Sequence, residues 1–206
     1  MAKKHPIYDG DFQIMTPAIS EAYDQIVKNV ENRISGVIMC GKARMGKTCA
    51  VRIIAGKLKE QYPGEMAVCG FIKSHSKPSQ KAFYNDILAG LKAEKGKMNA
   101  QAMGNRILSI LTSEGKKNNN KVVLFIDEAN NMLTYDYLWL MDIQNRLDSV
   151  NIKLTTILVG TQELLQTKAL YKTTEENRIV GRFMLKENEF KGISNPGSLR
   201  IVLGAY

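Results

Sequence analysis

The sequence predicts an α/β fold in which a parallel sheet lies between two layers of helices. Two apolar runs, Gly36-Val37-Ile38-Met39-Cys40 and Val122-Val123-Leu124-Phe125-Ile126, lack alternation and have the character of strands buried on both faces. Stretches with apolar residues at helical spacing fall between such runs, and strands alternating with helices build parallel three-layer sandwiches. The first run also ends in a glycine-bearing turn that opens directly onto a helical pattern, Ala50 to Leu58.

Taken in order, Thr16-Pro17 supplies an N-cap and a first-turn proline, and Ile19, Tyr23, Ile26, Val27 and Val30 recur at helical spacing up to Arg33. The strand–turn–helix unit at 36–58 follows. Glu65 to Ile72 is expected to be the second strand. Ser79 to Leu91 and Asn99 to Leu111 are expected helices, separated by the lysine-rich 92–97, and Gly115 to Asn120 is expected to be a loop. After the strand ending at Asp127, an apolar face of Tyr137, Leu138, Leu140, Met141, Leu147 and Val150 marks a helix. Leu154 to Gly160 marks a further strand.

Composition sets limits. At 206 residues and 44% hydrophobic, the chain can bury one good core with a small appendage. No stretch approaches the apolar length of a membrane span, and the N-terminal residues lack the apolar centre of a signal peptide. Cys40, Cys49 and Cys69 are an odd, scattered set, expected to be reduced core thiols of a cytoplasmic protein. The net charge of +9 and pI near 9.4 point to a polyanionic partner, most simply nucleic acid, although a solvated lysine surface gives the same number.

Two motifs carry chemistry. Gly41-Lys42-Ala43-Arg44-Met45-Gly46-Lys47-Thr48 satisfies G-x-x-x-x-G-K-[ST] at every fixed position. A glycine turn at a helix N-terminus aims backbone N–H groups at one point, where the helix dipole adds positive potential. Lys47 would reach the β- and γ-phosphates of ATP, and Thr48 would sit on Mg²⁺. The second motif is Asp127-Glu128, at the carboxyl end of a buried strand, where ligands of open α/β sheets gather. Asp127 is placed to hold Mg²⁺ and Glu128 to act as general base toward a water. The pair could instead simply open the next helix. The expected nucleotide-binding set is Gly41, Ala43, Arg44, Met45, Gly46, Lys47, Thr48, Cys49 and Asp127, with Thr48 and Asp127 as metal ligands.

Beyond these, Gly160-Thr161-Gln162 ends a strand expected beside the two site strands. P-loop ATPases with an additional strand between those two place a polar residue there, against the γ-phosphate or the lytic water. Thr161 is the first candidate and Gln162 the second, with helix capping the open alternative for either. Asn177-Arg178-Ile179-Val180-Gly181-Arg182-Phe183 places two arginines near a helix end. Arg182, at the terminus, is the better candidate for a finger reaching a neighbouring subunit's nucleotide, against a surface pairing with Glu175 or Glu176.

Together GKARMGKT, VVLFIDEAN, LVGTQEL and RIVGRF resemble the AAA+ ATPases that regulate DNA transposition, the TnsC/TniB family, with Mu B as a more distant relative. The resemblance implies a three-layer α-β-α P-loop NTPase of the AAA+ additional-strand type. Residues 1–15 would be an N-terminal extension, 16–192 the ATPase core, and 193–206 the start of a minimal or truncated helical lid. It also implies a homo-oligomeric ring or filament that binds ATP and Mg²⁺, assembles on duplex DNA with little sequence preference, marks a target, and meets a transposase and a TniQ-type selector. Glu128, Arg182 and Thr161 would then be the catalytic residues. Lys73, Lys77 and Lys81 are the first expected DNA contacts, with Lys92, Lys95, Lys97 and Lys116, Lys117, Lys121 as further clusters and a solvated face as the alternative. A helicase loader or insertion-sequence helper ATPase of the same fold is a second reading, and an assembly that binds ATP without hydrolysing it is a third. The adenine pocket is sought around Ile7 to Met15.

Overall fold

The computed structural model describes residues 13–94, 97–193, 196–197 and 199–200. Most of the expected N-terminal extension, most of the adenine-pocket segment, Lys95 and most of the expected lid lie outside them. The elements run α1 (Pro17–Glu31), β1 (Gly36–Cys40), α2 (Lys47–Gln61), β2 (Ala67–Ile72), α3 (Gln80–Gly90), α4 (Ala100–Lys117), β3 (Lys121–Asp127), a 3₁₀ turn (Ala129–Asn131), α5 (Thr134–Ser149), β4 (Lys153–Gly160), α6 (Glu163–Lys172), α7 (Asn177–Phe183) and β5 (Lys186–Glu189).

All five strands are parallel, in the order β2-β3-β4-β1-β5. The fold is thus a three-layer α/β P-loop NTPase sandwich. The sheet separates two cores. Val37, Met39, Val123, Phe125, Ile157 and Val159 face α1 and α2, whereas Ile38, Leu124, Ile126 and Leu158 face the layer of α3, α4, α5 and α7. Strand alternation sets this partition, and it fixes where each strand-end residue points.

Local chemistry explains the boundaries. Thr16 caps α1 by accepting from Ile19 N at 3.2 Å, with Pro17 at the first helical position. Ser79 and Asn99 cap α3 and α4 in the same way. One expectation is corrected, and one strand had not been anticipated. The segment 115–120 is not all loop: α4 continues through Lys117 because Gly115 packs against the sheet layer, where a Cβ would come within 2.8 Å of Ile152. β5 carries no apolar signal in the sequence: Lys186-Glu187-Asn188-Glu189 is a largely exposed edge strand held by its pairing to β1 and by the ion pair of Glu187 with Lys168 at 2.6 Å.

Gly36 opens β1 directly beneath α7, where any Cβ would collide with the Phe183 backbone, while Gly181 has open space around it. Gly36→Ala is therefore expected to destabilise the fold by about 1–3 kcal/mol. Gly181→Ala should be neutral or stabilising by up to ~1 kcal/mol through helix propensity. Thermal or urea unfolding of the two variants checks both signs.

Candidate nucleotide site

The carboxyl ends of β1 and β3 bring the two motifs together. Along β3, Val123 and Phe125 face α2, so alternation turns Asp127 toward the same helix. The Thr48 hydroxyl, at the start of α2, donates to Asp127 Oδ2 at 2.6 Å, and Asp127 is 6% exposed. The other carboxylate oxygen, Oδ1, accepts from Glu128 N at 2.9 Å. Two hard oxygen donors held this close suit Mg²⁺, and Thr48 and Asp127 are the residues that would hold it.

The loop that precedes α2 is curled by two left-handed residues, Arg44 at φ 62° and Gly46 at φ 81°. Gly46 is the N-cap, with no side chain to satisfy the first amides of the helix. Among the described residues, no loop amide from Lys42 to Gly46 donates to a backbone carbonyl. The donors a polyphosphate needs are thus present and uncommitted. Lys47 Nζ spans the loop from inside, donating to Gly41 O at 3.1 Å and Lys42 O at 2.8 Å. An anion in the loop would compete for this ammonium. Gly41 is required for a close approach, because a Cβ there would strike the carbonyl of Phe190. The chain leaving β5 therefore forms one wall of the loop, with Gly192 against Met45. Ala43 and Cys49 are exposed beside it.

Glu128 is exposed and left-handed, at φ 55°, a conformation that costs a non-glycine residue energy and recurs at functional sites. The turn after it is tied to the end of β4, where Asn130 Oδ1 accepts from Thr161 N at 3.3 Å. Thr161 Oγ1 is buried without a partner, and α6 has no side-chain cap, so neither Thr161 nor Gln162 serves as its cap.

Arg182 is at the opposite end of the sheet. It lines a 580 Å³ cleft with Arg33, Lys121 and Lys153, beneath the amino ends of β1, β3 and β4. Its carbonyl accepts from Ser35 Oγ at 2.8 Å. Among the described residues its guanidinium has no ion pair, whereas Arg178 pairs with Glu176 at 3.4 Å.

Lys73 is a correction. It does not project toward solvent: it is 2% exposed and pairs with Asp136 at 3.2 Å, because alternation along β2 continues the inward face of Ala67 and Phe71. Lys77 and Lys81 are exposed. Cys49 is a second correction, being an exposed thiol rather than a core one. Cys69, at the sheet edge, has its thiol pushed up to about 12 by burial. Asn130 and Asp136 had no signature in the sequence, since their roles arise only from what the fold sets beside them. Among the described residues, no cluster of three or more His, Cys, Asp or Glu could hold a metal, and no helix is long and apolar enough to cross a membrane.

No curated protein matches the chain in sequence. Solved structures match its fold. Aeropyrum pernix Orc1 in complex with DNA is 10% identical, with a TM-score of 0.62, over 94% of this chain and 50% of that one. Cdc6p from Pyrobaculum aerophilum is 12% identical, with a TM-score of 0.57, over 94% and 50%. AMPPCP-bound DnaA from Aquifex aeolicus is 16% identical, with a TM-score of 0.53, over 93% and 52%. The chain spans about half the length of these structures, and at such identities the likeness is one of fold. The sequence itself matches the family described as AAA domain over residues 33–167, well over half the chain, and the protein belongs to that family.

Proposed function

We propose that the protein is an ATP-dependent, DNA-binding AAA+ regulator of transposition. It oligomerises on duplex DNA, marks the target, and recruits a transposase and a TniQ-type selector. The observation that carries the ATPase part is the 2.6 Å contact between Thr48 and Asp127, which supports a single site shared by the phosphate loop and the acids that end β3. In this reading the loop amides and Lys47 bind the triphosphate, and Thr48 and Asp127 would hold Mg²⁺, which when bound would supply charge neutralisation. Glu128 takes the proton of an attacking water, and Thr161, released from its buried position, senses the γ-phosphate. The net charge of +9 supports a nucleic-acid partner, and the motif set IDEAN, VGTQEL and RIVGRF supports transposition. Residues 16–192 would form the ATPase core, acting in the cytoplasm.

A second reading, a helicase loader or insertion-sequence helper ATPase, draws on the likeness in fold to Orc1, Cdc6p and DnaA. Pull-down with a transposase against pull-down with a replicative helicase separates the two.

Glu128→Gln is expected to lower ATP turnover by about 10²–10⁴-fold while leaving assembly on DNA intact, and Lys47→Ala to impair both. Equal turnover in wild type and Glu128→Gln removes the base assignment. Arg182 stands at the far end of its own sheet, so it is proposed to act on a neighbour. Arg182→Ala should lose about 10³-fold or more in rate, and mixing it with Glu128→Gln subunits, which still assemble and still carry Arg182, should restore part of the turnover. Lys77→Ala/Lys81→Ala is expected to weaken binding to unrelated duplexes alike and to flatten the dependence of log K on log salt by about 1–2. Fluorescence anisotropy across a salt series measures it.

A further inference from the structure

The turn that carries Glu128 rests on a buried ion pair to which the nucleotide chemistry assigns no task. Lys73 Nζ lies 3.2 Å from Asp136 Oδ2, with the two side chains 1% and 0% exposed, and the ammonium sits over the Phe83 ring at 5.6 Å. Such a pair is a poor device for stability alone, because desolvating two charges costs about as much as their attraction returns. Its placement indicates another use. Lys73 N donates to Asp127 O at 2.9 Å, so the pair begins at the strand end that holds the metal-site carboxylate. Asp136 Oδ2 also accepts from Leu133 N at 2.8 Å, which fixes the last residue before α5. Asp136 Oδ1 is buried with no partner, so the carboxylate has no other tie.

Between Asp127 and Leu133 lies the turn itself. Asn131 N donates to Glu128 O and Met132 N to Ala129 O, at 2.9 and 3.0 Å. Glu128 is held left-handed against its own preference, so the conformation persists only if both shoulders of the turn are fixed. Asn130 fixes one shoulder to β4, and Asp136 fixes the other to β2 through Lys73.

We propose that Lys73 and Asp136 are positioning residues for ATP hydrolysis, holding the Glu128 turn in the geometry that the water-activating carboxylate needs; this rests on the ATPase reading above. In Lys73→Met, kcat should fall about 10–100-fold, as for a catalytic group displaced by about an ångström. The Kd for a fluorescent ATP analogue should change by less than about threefold, because the residues of the loop are untouched. Hydrogen exchange should quicken at 128–133 and stay unchanged at 41–48. The double variant Lys73→Met/Asp136→Leu removes both charges and should recover thermal stability. Its kcat should stay low, because Leu133 N has lost its acceptor. Wild-type kcat in the stable double variant, or unchanged exchange at 128–133 there, overturns the proposal. So does a parallel loss of nucleotide affinity and turnover. A wild type with no Glu128-dependent turnover would instead sink the ATPase reading, and it is told apart because exchange at 128–133 still separates the variants from wild type.

Discussion

The Thr48 hydroxyl donates to Asp127 across 2.6 Å, between two segments that are not neighbours in the sheet. β4 lies between β1 and β3, so this contact exists only because three strands hold their register and α2 lies flat on one face. Asp127 points at α2 by parity along β3, and Thr48 faces Asp127 because the loop turns at Gly46 directly into the helix. A one-residue slip of β3 would send the carboxylate into the other core. The strands that carry the site are accordingly the most deeply buried, β1 without an exposed residue and β3 with only its first residue partly open. The buried strands thus hold the phosphate loop and Asp127 in a fixed relation, which positioning at the ångström level would need.

The parts of the molecule legible in the sequence are those whose signal is local. The phosphate loop has fixed glycines and a fixed lysine, and β3 announces itself as an unbroken apolar run ending in acids. Helix starts at Thr16, Ser79 and Asn99 could be read because capping is a local bond. β5 was illegible because a polar edge strand is defined by its partner, β1, and not by its own residues. The end of α4 was obscured because its lysines and asparagines resemble a loop, while the packing of Gly115 on Ile152 is a tertiary fact.

Lys73 shows the same division more sharply. Its charge and its place after a strand suggested a phosphate contact, but charge does not say which face a side chain takes. Parity does, and counting from Phe71 turns Lys73 inward to Asp136. Asp136 could be read only as an acid in the first turn of a helix. Thus the motif residues of the candidate site were largely visible, and the residues packed behind them were not, because such contacts are a property of pairs far apart in the chain.

The two ends of the sheet divide their roles by charge. The carboxyl ends gather the amides of 42–46, Lys47, Asp127 and Glu128 at the candidate nucleotide site. The amino ends gather Arg33, Lys121, Lys153 and Arg182 around a cleft in which, among the described residues, Asp148 is the one acidic residue, already paired with Lys153 at 2.9 Å. The length of β4 alone separates the two ends by roughly 20 Å. No rotamer of Arg182 spans that distance, so a single subunit cannot bring its own guanidinium to its own triphosphate. If that guanidinium is part of the reaction, turnover requires a second copy whose amino-end cleft meets the first copy's loop. Assembly and hydrolysis then become one variable: a dispersed subunit is slow by construction, and whatever gathers subunits in line accelerates them.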